Sequence, residues 1–380
     1  MKKALIITAL SGFISAFLIS DIEILQQMGY EVYCAANDGE SKTGAAKNFW
    51  IEHHVTFVNI DFDSKNPASQ NNIAAYNEIR ELLARERFDL IHCHTPIAGF
   101  ITRLAARKYR KQGTKVIYTT HGFYFHKHAP KKDWIKYYPI EKLASAWCDA
   151  IVTINEEDLQ CAKRMWCRKC FKINSVGLDT KRYLDIKLDR QEYRKSIGVE
   201  ENDIMILAAG ELSARKNHIV IIRALAKIRD PKYVFVICGQ AVKGSGTYDL
   251  IEQTARENNV RVKFLGFRRD MPELFSCADI SVMPSKREGL GMAGLQSMIV
   301  GVPVIGSNVH GIVDYVIPGE TGYLFDPDDV DGFAAGIEKL SDPEVRNAMK
   351  QNCIDTAMKF SKEVSWKQKE EIYKEVLCLN

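Results

Sequence analysis

Short apolar runs alternate with amphipathic helical stretches along nearly the whole chain, and no other feature restricts the fold as strongly. Runs at 30–36, 88–93, 115–120 and 150–154 are mostly apolar and of strand length. Between them, 71–86, 98–111 and 134–148 repeat apolar residues at helical spacing, for example Ile73, Tyr76, Ile79, Leu82 and Leu83. Apolar strands joined by helices make parallel sheets covered on both faces. A second series follows, with strands expected at 204–209, 233–238, 262–265, 280–283 and 302–305 and helices between them. The 380 residues suit two domains better than one core. We expect an α/β protein with a first domain over 1–177, a charged linker over 178–203 and a second domain over 204–361. The two Rossmann-like domains are expected to face each other across a cleft. A last helix over 362–380 carries Trp366, Tyr373 and Leu377 at helical spacing and is expected to pack back on the first domain.

The N-terminus has a competing reading. Met1, Lys2 and Lys3 precede an uncharged stretch over 4–20 that has the look of a signal or anchor. Thr8, Ser11, Gly12, Ser15 and Ser20 interrupt it, however, and no small-residue cleavage site leads into a polar start. A strand at 4–8, a turn at Ser11 and Gly12, a helix over 14–28 and a strand at 30–36 describe it better. The net charge of +4 speaks against a nucleic-acid binder. Ten cysteines scattered singly suit a reducing, cytoplasmic compartment. Residues 103–136 hold ten basic residues against one acid, Asp133, with Phe123, Tyr124, Phe125, Trp134, Tyr137 and Tyr138 in or beside them. That mixture suits an anionic membrane surface or a lipid diphosphate, and equally a solvated helix face over core aromatics.

Two loops in the second series carry candidate chemistry. Lys286-Arg287-Glu288-Gly289-Leu290-Gly291-Met292 joins a strand to a helix. Its glycines let backbone approach a ligand, and Glu288 offers a carboxylate to sugar hydroxyls. The bland alternative is a tight turn with solvated charges. Gly210-Glu211-Leu212-Ser213-Ala214-Arg215-Lys216-Asn217 ends the first strand of this series and places two cations near a helix N-terminus, where a diphosphate is held well. In the first series His92, His94, His121, His126 and His128 gather near two strand ends. No acid or thiol stands at ligand spacing, so a lone cleft histidine at His121 is preferred to a metal site. Cys161, Cys167 and Cys170 lack an evident fourth ligand and read as buried or incidental thiols.

Taken together, TTHGF at 119–123, GELSARKN at 210–217, FLGFRRDMPELFSCADISVMPS at 264–285 and EGLGMAGLQSM at 288–298 resemble the retaining GT-B glycosyltransferases of family 4. The likeness points to the capsule, exopolysaccharide and lipid-linked oligosaccharide branch. It implies a UDP-sugar donor held mainly by the second domain, a polyprenyl-diphosphate-linked saccharide acceptor held by the first, no metal and no cofactor. It also implies work at the cytoplasmic face of the plasma membrane. By the same likeness Lys216 binds the donor diphosphate, with Arg215 beside it, and His121 approaches the transferred sugar. Ser11 and Gly12 face the donor phosphates, Phe267 and Arg268 lie at the base, and Glu288 meets sugar hydroxyls. The amides of Gly289, Leu290, Gly291 and Met292 reach sugar and phosphate. Two positions depart from the pattern: Gln296 replaces its second acid, and Glu211 replaces an arginine. A sugar-nucleotide epimerase and a non-catalytic partner subunit remain as alternatives.

Overall fold

The computed structural model describes residues 1–39, 48–242 and 244–378. The chain divides into two compact units, Met1–Gly177 with Glu363–Asn380, and Leu178–Lys362.

The first unit is built on seven parallel strands: β1 (Lys2–Leu10), β2 (Tyr30–Asn37), β3 (Thr56–Asn59), β4 (Leu90–His94), β5 (Lys115–Thr119), β6 (Ala150–Thr153) and β7 (Lys169–Lys172). Their order is β3-β2-β1-β4-β5-β6-β7. β1 is central, with Ile6 registered against Cys34 of β2 and His92 of β4. Ala4, Leu5, Ile6 and Ile7 are fully buried, as a strand covered on both faces requires. The chain winds outward from β1 to β3, then returns across the sheet to β4. Strand order therefore reverses between β1 and β4.

The second unit repeats the plan with β8 (Ile204–Ala209), β9 (Tyr233–Cys238), β10 (Val262–Gly266), β11 (Ile280–Met283), β12 (Val304–Ser307) and β13 (Gly322–Phe325). The order is β10-β9-β8-β11-β12-β13, so the reversal falls between β8 and β11. Parallel open sheets bind ligands at such reversals, beyond the carboxyl ends of the strands, because neighbouring loops there diverge and leave a crevice.

Four local expectations need correction. The helix expected over 14–28 is two, Ser11–Phe17 and Ile19–Gln27, separated at Leu18. Apolar spacing runs through the break and cannot reveal it; at the start of the second helix Ser20 and Asp21 are drawn to Lys369. The strand formed is Lys169–Lys172, where the stretch from Phe171 to Val176 predicts one over 171–176. Its last part belongs elsewhere: the Asn174 amide donates to Gln368 and the Ser175 carbonyl accepts from Ser365 Oγ, both at 2.8 Å.

Residues 178–203 are no free tether. They form helices Lys181–Leu184 and Arg190–Ser196, and Arg194 is 2% exposed, held by Asp279 at 2.9 Å and the Cys277 carbonyl at 3.1 Å. A basic residue that looks solvated in sequence is here a buried partner for an acid far along the chain. Finally, the helix Lys362–Leu377 buries Ser365, Lys369, Ile372, Tyr373 and Val376. Of the stripe Trp366, Tyr373 and Leu377, only Tyr373 is buried.

Candidate functional site

In the second unit the β8 and β11 loops meet at the strand-order reversal. Lys216 Nζ lies 2.5 Å from Glu288 Oε2, Arg215 Nη1 lies 3.2 Å from the same oxygen, and Ser285 Oγ donates to it at 3.2 Å. Arg215 also donates to the Arg287 carbonyl at 3.0 Å and to Glu211 Oε1 at 3.0 Å. Burial pushes the Glu288 carboxyl up, but Lys216 and Arg215 outweigh it and hold the group below the usual glutamate range. Glu211, at the position of the expected arginine, is half-exposed and turns its charge onto Arg215. Screening by water makes that contact far weaker than the buried one to Glu288.

The cluster is held from several sides. Asn217, in the left-handed region at φ 55°, caps the helix His218–Ile228 and donates to the Pro284 and Pro327 carbonyls at 3.1 and 2.7 Å. The Lys286 amide donates to the Arg215 carbonyl at 2.8 Å. Gly291 has φ +83°, and a β-carbon there would sit 2.9 Å from Glu288 Cγ and 2.7 Å from the Met283 methyl. Only glycine lets the loop turn this tightly against the carboxylate. Tyr315 Oη donates to the Gly291 carbonyl at 3.1 Å, and the Gly311 amide donates to the Glu288 carbonyl at 3.2 Å. Leu290 is buried and Met292 opens the helix Met292–Met298. Ser285, Tyr315 and Gly311 escape a reading of the sequence because their partners are set by folding, not by spacing.

Other candidates stand apart from this cluster. Phe267 is 66% exposed just beyond β10. Arg268 is spent on Asp270 and on the Tyr193 hydroxyl at 3.3 Å. Gln296 is half-buried and hydrogen-bonds the Tyr183 hydroxyl, whose pKa burial pushes up to about 12.

In the first unit His121 is not alone. Its Nε2 lies 3.1 Å from His94 Nδ1, and the Phe13 ring, next to Ser11 and Gly12, packs edge-on to it at 4.7 Å. Behind them runs a buried polar chain. His92 contacts Thr119 Oγ1 and Tyr373 Oη, each at 2.7 Å, and Tyr373 donates to Asp21 at 2.9 Å. Lys369 Nζ closes the chain on Asp21 at 2.7 Å, with the lysine 5% and the aspartate 1% exposed. A lysine sharing a helix face with Ser365 and Tyr373 was the available signal, since such a face must supply it an acid.

Burial holds these imidazoles neutral. It pushes His92 down to about 4 despite Asp21, and His121 down to about 3, with Lys369 acting in the same direction. His94 falls well below 6.5 for the same reason, helped by His92 and His121. Below pH 6.5 the unfolded chain therefore binds more protons than the folded one, and stability is lost as pH falls. We expect the urea midpoint of the first unit to decline from about pH 6.5 downward, each histidine contributing up to about 1.4 kcal/mol per pH unit. A midpoint unchanged down to the carboxylate range, about pH 4.5, would refute this.

The basic stretch is only partly a surface. Arg103 is fully buried, paired with Glu141 at 2.9 Å and stacked 3.9 Å over Tyr118, while Phe123 and Phe125 are core. Lys127, Lys131, Lys132 and Lys136 are exposed, as is Ile135. Among the described residues no helix is long and apolar enough to cross a membrane.

Residues 22–170 match the model of the Glycosyltransferase Family 4 and residues 189–356 that of the Glycosyl transferases group 1. A putative glycosyltransferase, EpsD of Bacillus subtilis, is 34% identical over 98% of this chain and 96% of its own. The UDP-Gal:alpha-D-GlcNAc-diphosphoundecaprenol alpha-1,3-galactosyltransferase of Escherichia coli is 29% identical over 72% of this chain and 71% of its own. Among solved structures, Anabaena HepE in complex with UDP and glucose superposes with a TM-score of 0.80 at 19% identity, covering 99% of this chain and all of HepE. That likeness shows the fold, GT-B, with its two Rossmann-like sheets. With its two sheets, its two family matches and a full-length relative at 34% identity, the chain belongs to the group 1, family 4 glycosyltransferases.

Proposed function

We infer that the protein transfers a hexose or N-acetylhexosamine from a UDP-sugar, with retention and without a metal, to a lipid-linked saccharide during surface-polysaccharide assembly. The observation that carries this reading is the Lys216–Glu288 contact. All three side-chain donors on Glu288 fall on Oε2, from Lys216, Arg215 and Ser285. Oε1 then serves as acceptor for a sugar hydroxyl while the two cations beside it meet the diphosphate. Fixed positive charge at a departing diphosphate stabilises charge as it develops, the largest contribution available to a site without a dedicated base. The departing phosphate oxygen takes the acceptor's proton. His121, neutral and packed on Phe13 and His94, serves as a neutral hydrogen-bonding group toward the transferred sugar. Ser11 and Gly12 lie toward the donor phosphates, and Gly289 to Met292 offer backbone amides to sugar and phosphate. Phe267 and the backbone at Arg268 hold the base; Gln296 accepts from the ribose.

The relatives support the chemistry in their own names, one being a galactosyltransferase acting on a diphosphoundecaprenol-linked sugar. A capsular polysaccharide biosynthesis glycosyltransferase, CapM of Staphylococcus aureus, is 24% identical over 93% of this chain. Exposed lysines of residues 127–136 favour work at an anionic membrane surface. Titration with UDP, followed by UDP release from UDP-glucose, UDP-galactose and their N-acetyl forms with and without a lipid-linked saccharide, tests the reading. Release only with acceptor is expected. Absence of UDP binding would overturn it in favour of a non-catalytic partner.

A further inference from the structure

A cavity of about 470 Å³ opens in the first unit, beyond the carboxyl ends of β1, β4 and β5. Phe13, Ile97, Phe100, Phe123, Tyr137 and Ile140 form most of its wall. Three polar side chains of the lining are already engaged within the protein. Thr95 Oγ1 accepts from the Ala9 amide at 3.1 Å, Thr120 Oγ1 accepts from the Gly122 amide at 3.3 Å, and Glu141 is paired with Arg103 at 2.9 Å. A saccharide entering here would lose water from its hydroxyls and regain few hydrogen bonds. A hydrocarbon would lose nothing. Two exposed cations, Lys65 and Lys136, belong to the same lining. On the helix Lys131–Ser145, Ile140 and Leu143 are each 46% exposed and one turn apart, so an apolar track runs from the cavity to the surface.

We propose that this cavity takes the proximal hydrocarbon of a prenyl-diphosphate-linked acceptor, with Lys65 and Lys136 at its diphosphate. The proposal rests on the reading above that the acceptor is lipid-linked, and it adds that the protein itself holds the first part of the chain. An apolar wall with two cations in its lining is complementary to an amphiphile whose charge sits at the end of a hydrocarbon, and to neither half alone.

The test is calorimetric titration of the full chain with farnesyl diphosphate, inorganic diphosphate and UDP. Farnesyl diphosphate is expected to bind at least roughly tenfold more tightly than inorganic diphosphate, the difference being buried hydrocarbon. Ile97→Trp, which fills the cavity, and Ile140→Glu, at an exposed position that folding tolerates, should each weaken farnesyl diphosphate roughly tenfold or more and leave UDP affinity unchanged. Lys136→Glu should weaken both farnesyl and inorganic diphosphate. Equal affinity for the two, or farnesyl binding indifferent to both cavity variants, overturns the proposal. Sugar transfer without farnesyl binding would remove the cavity's role and keep the transferase. Farnesyl binding without UDP binding would do the reverse.

Discussion

Lys216→Ala is expected to lower kcat/KM for transfer about 10³-fold, the usual consequence of removing one preorganised charge from a leaving group. The fold should survive. Lys216 precedes the helix His218–Ile228 and contributes no hydrogen bond to its cap, which Asn217 anchors through two carbonyls. Glu288 keeps Arg215 and Ser285 after the change, so its carboxylate stays paired. With one cation gone its pKa moves up toward the ordinary glutamate value, so the carboxylate contributes less stability at neutral pH and less is lost on acidification. Arginine at this position restores the charge but not the geometry. The Lys216 stem lies over Gly210, where a β-carbon would come within 3.1 Å of the lysine Cε, and a planar fork fits there less well than a single ammonium. Partial recovery of UDP affinity with little recovery of kcat is expected for Lys216→Arg. Full activity in Lys216→Ala, measured as UDP release with acceptor, would sink the assignment.

Lys369→Met should destabilise the first unit by about 3–5 kcal/mol, read as a lower urea midpoint. The cost comes from Asp21, which is 1% exposed and would keep only Tyr373 and the neutral His92 as neighbours. At present Lys369 and the groups around it outweigh burial and hold the Asp21 carboxyl below its usual range. Without the lysine burial pushes the carboxyl up, so the variant should lose stability as pH rises through that raised value, the reverse of the parent's loss below pH 6.5. Adding Asp21→Asn removes the stranded charge and should return a large part of the loss. If Lys369→Met unfolds like the parent, the buried chain from Lys369 to His92 does not hold the helix in place. The same chain ends at Thr119, two residues before His121, so transfer should also weaken in the single variant.

Both predictions depend on contacts of very different sequence range, and that range decides what a reader of the sequence can see. The parallel α/β plan, the two glycine-punctuated loops and their places at strand ends are local. Apolar runs of strand length, 3.6-residue spacing and glycines where backbone turns tightly record themselves over a few residues. Gly291 is a clear case: its positive φ against Glu288 is what the glycine was there to allow. The break at Leu18 and the short β7 are the opposite case, because the groups that shaped them lie in the last helix. Arg103 and Arg194 read as surface charge and are buried, since their acids, Glu141 and Asp279, stand 38 and 85 residues away.

By itself, then, the sequence determined the kind of sheet, the residues at its strand ends and the family motif that carries them. Only the tertiary structure decided the strand order that brings the β8 and β11 loops together, and with it the contact of Lys216 with Glu288 across 72 residues. It likewise decided that Lys369 neutralises Asp21 across 348 residues and that His94 shares His121's position. The reason is physical: periodicity reports which face of an element is dry, whereas a buried charge finds its partner through desolvation, and desolvation exists only once the chain has packed.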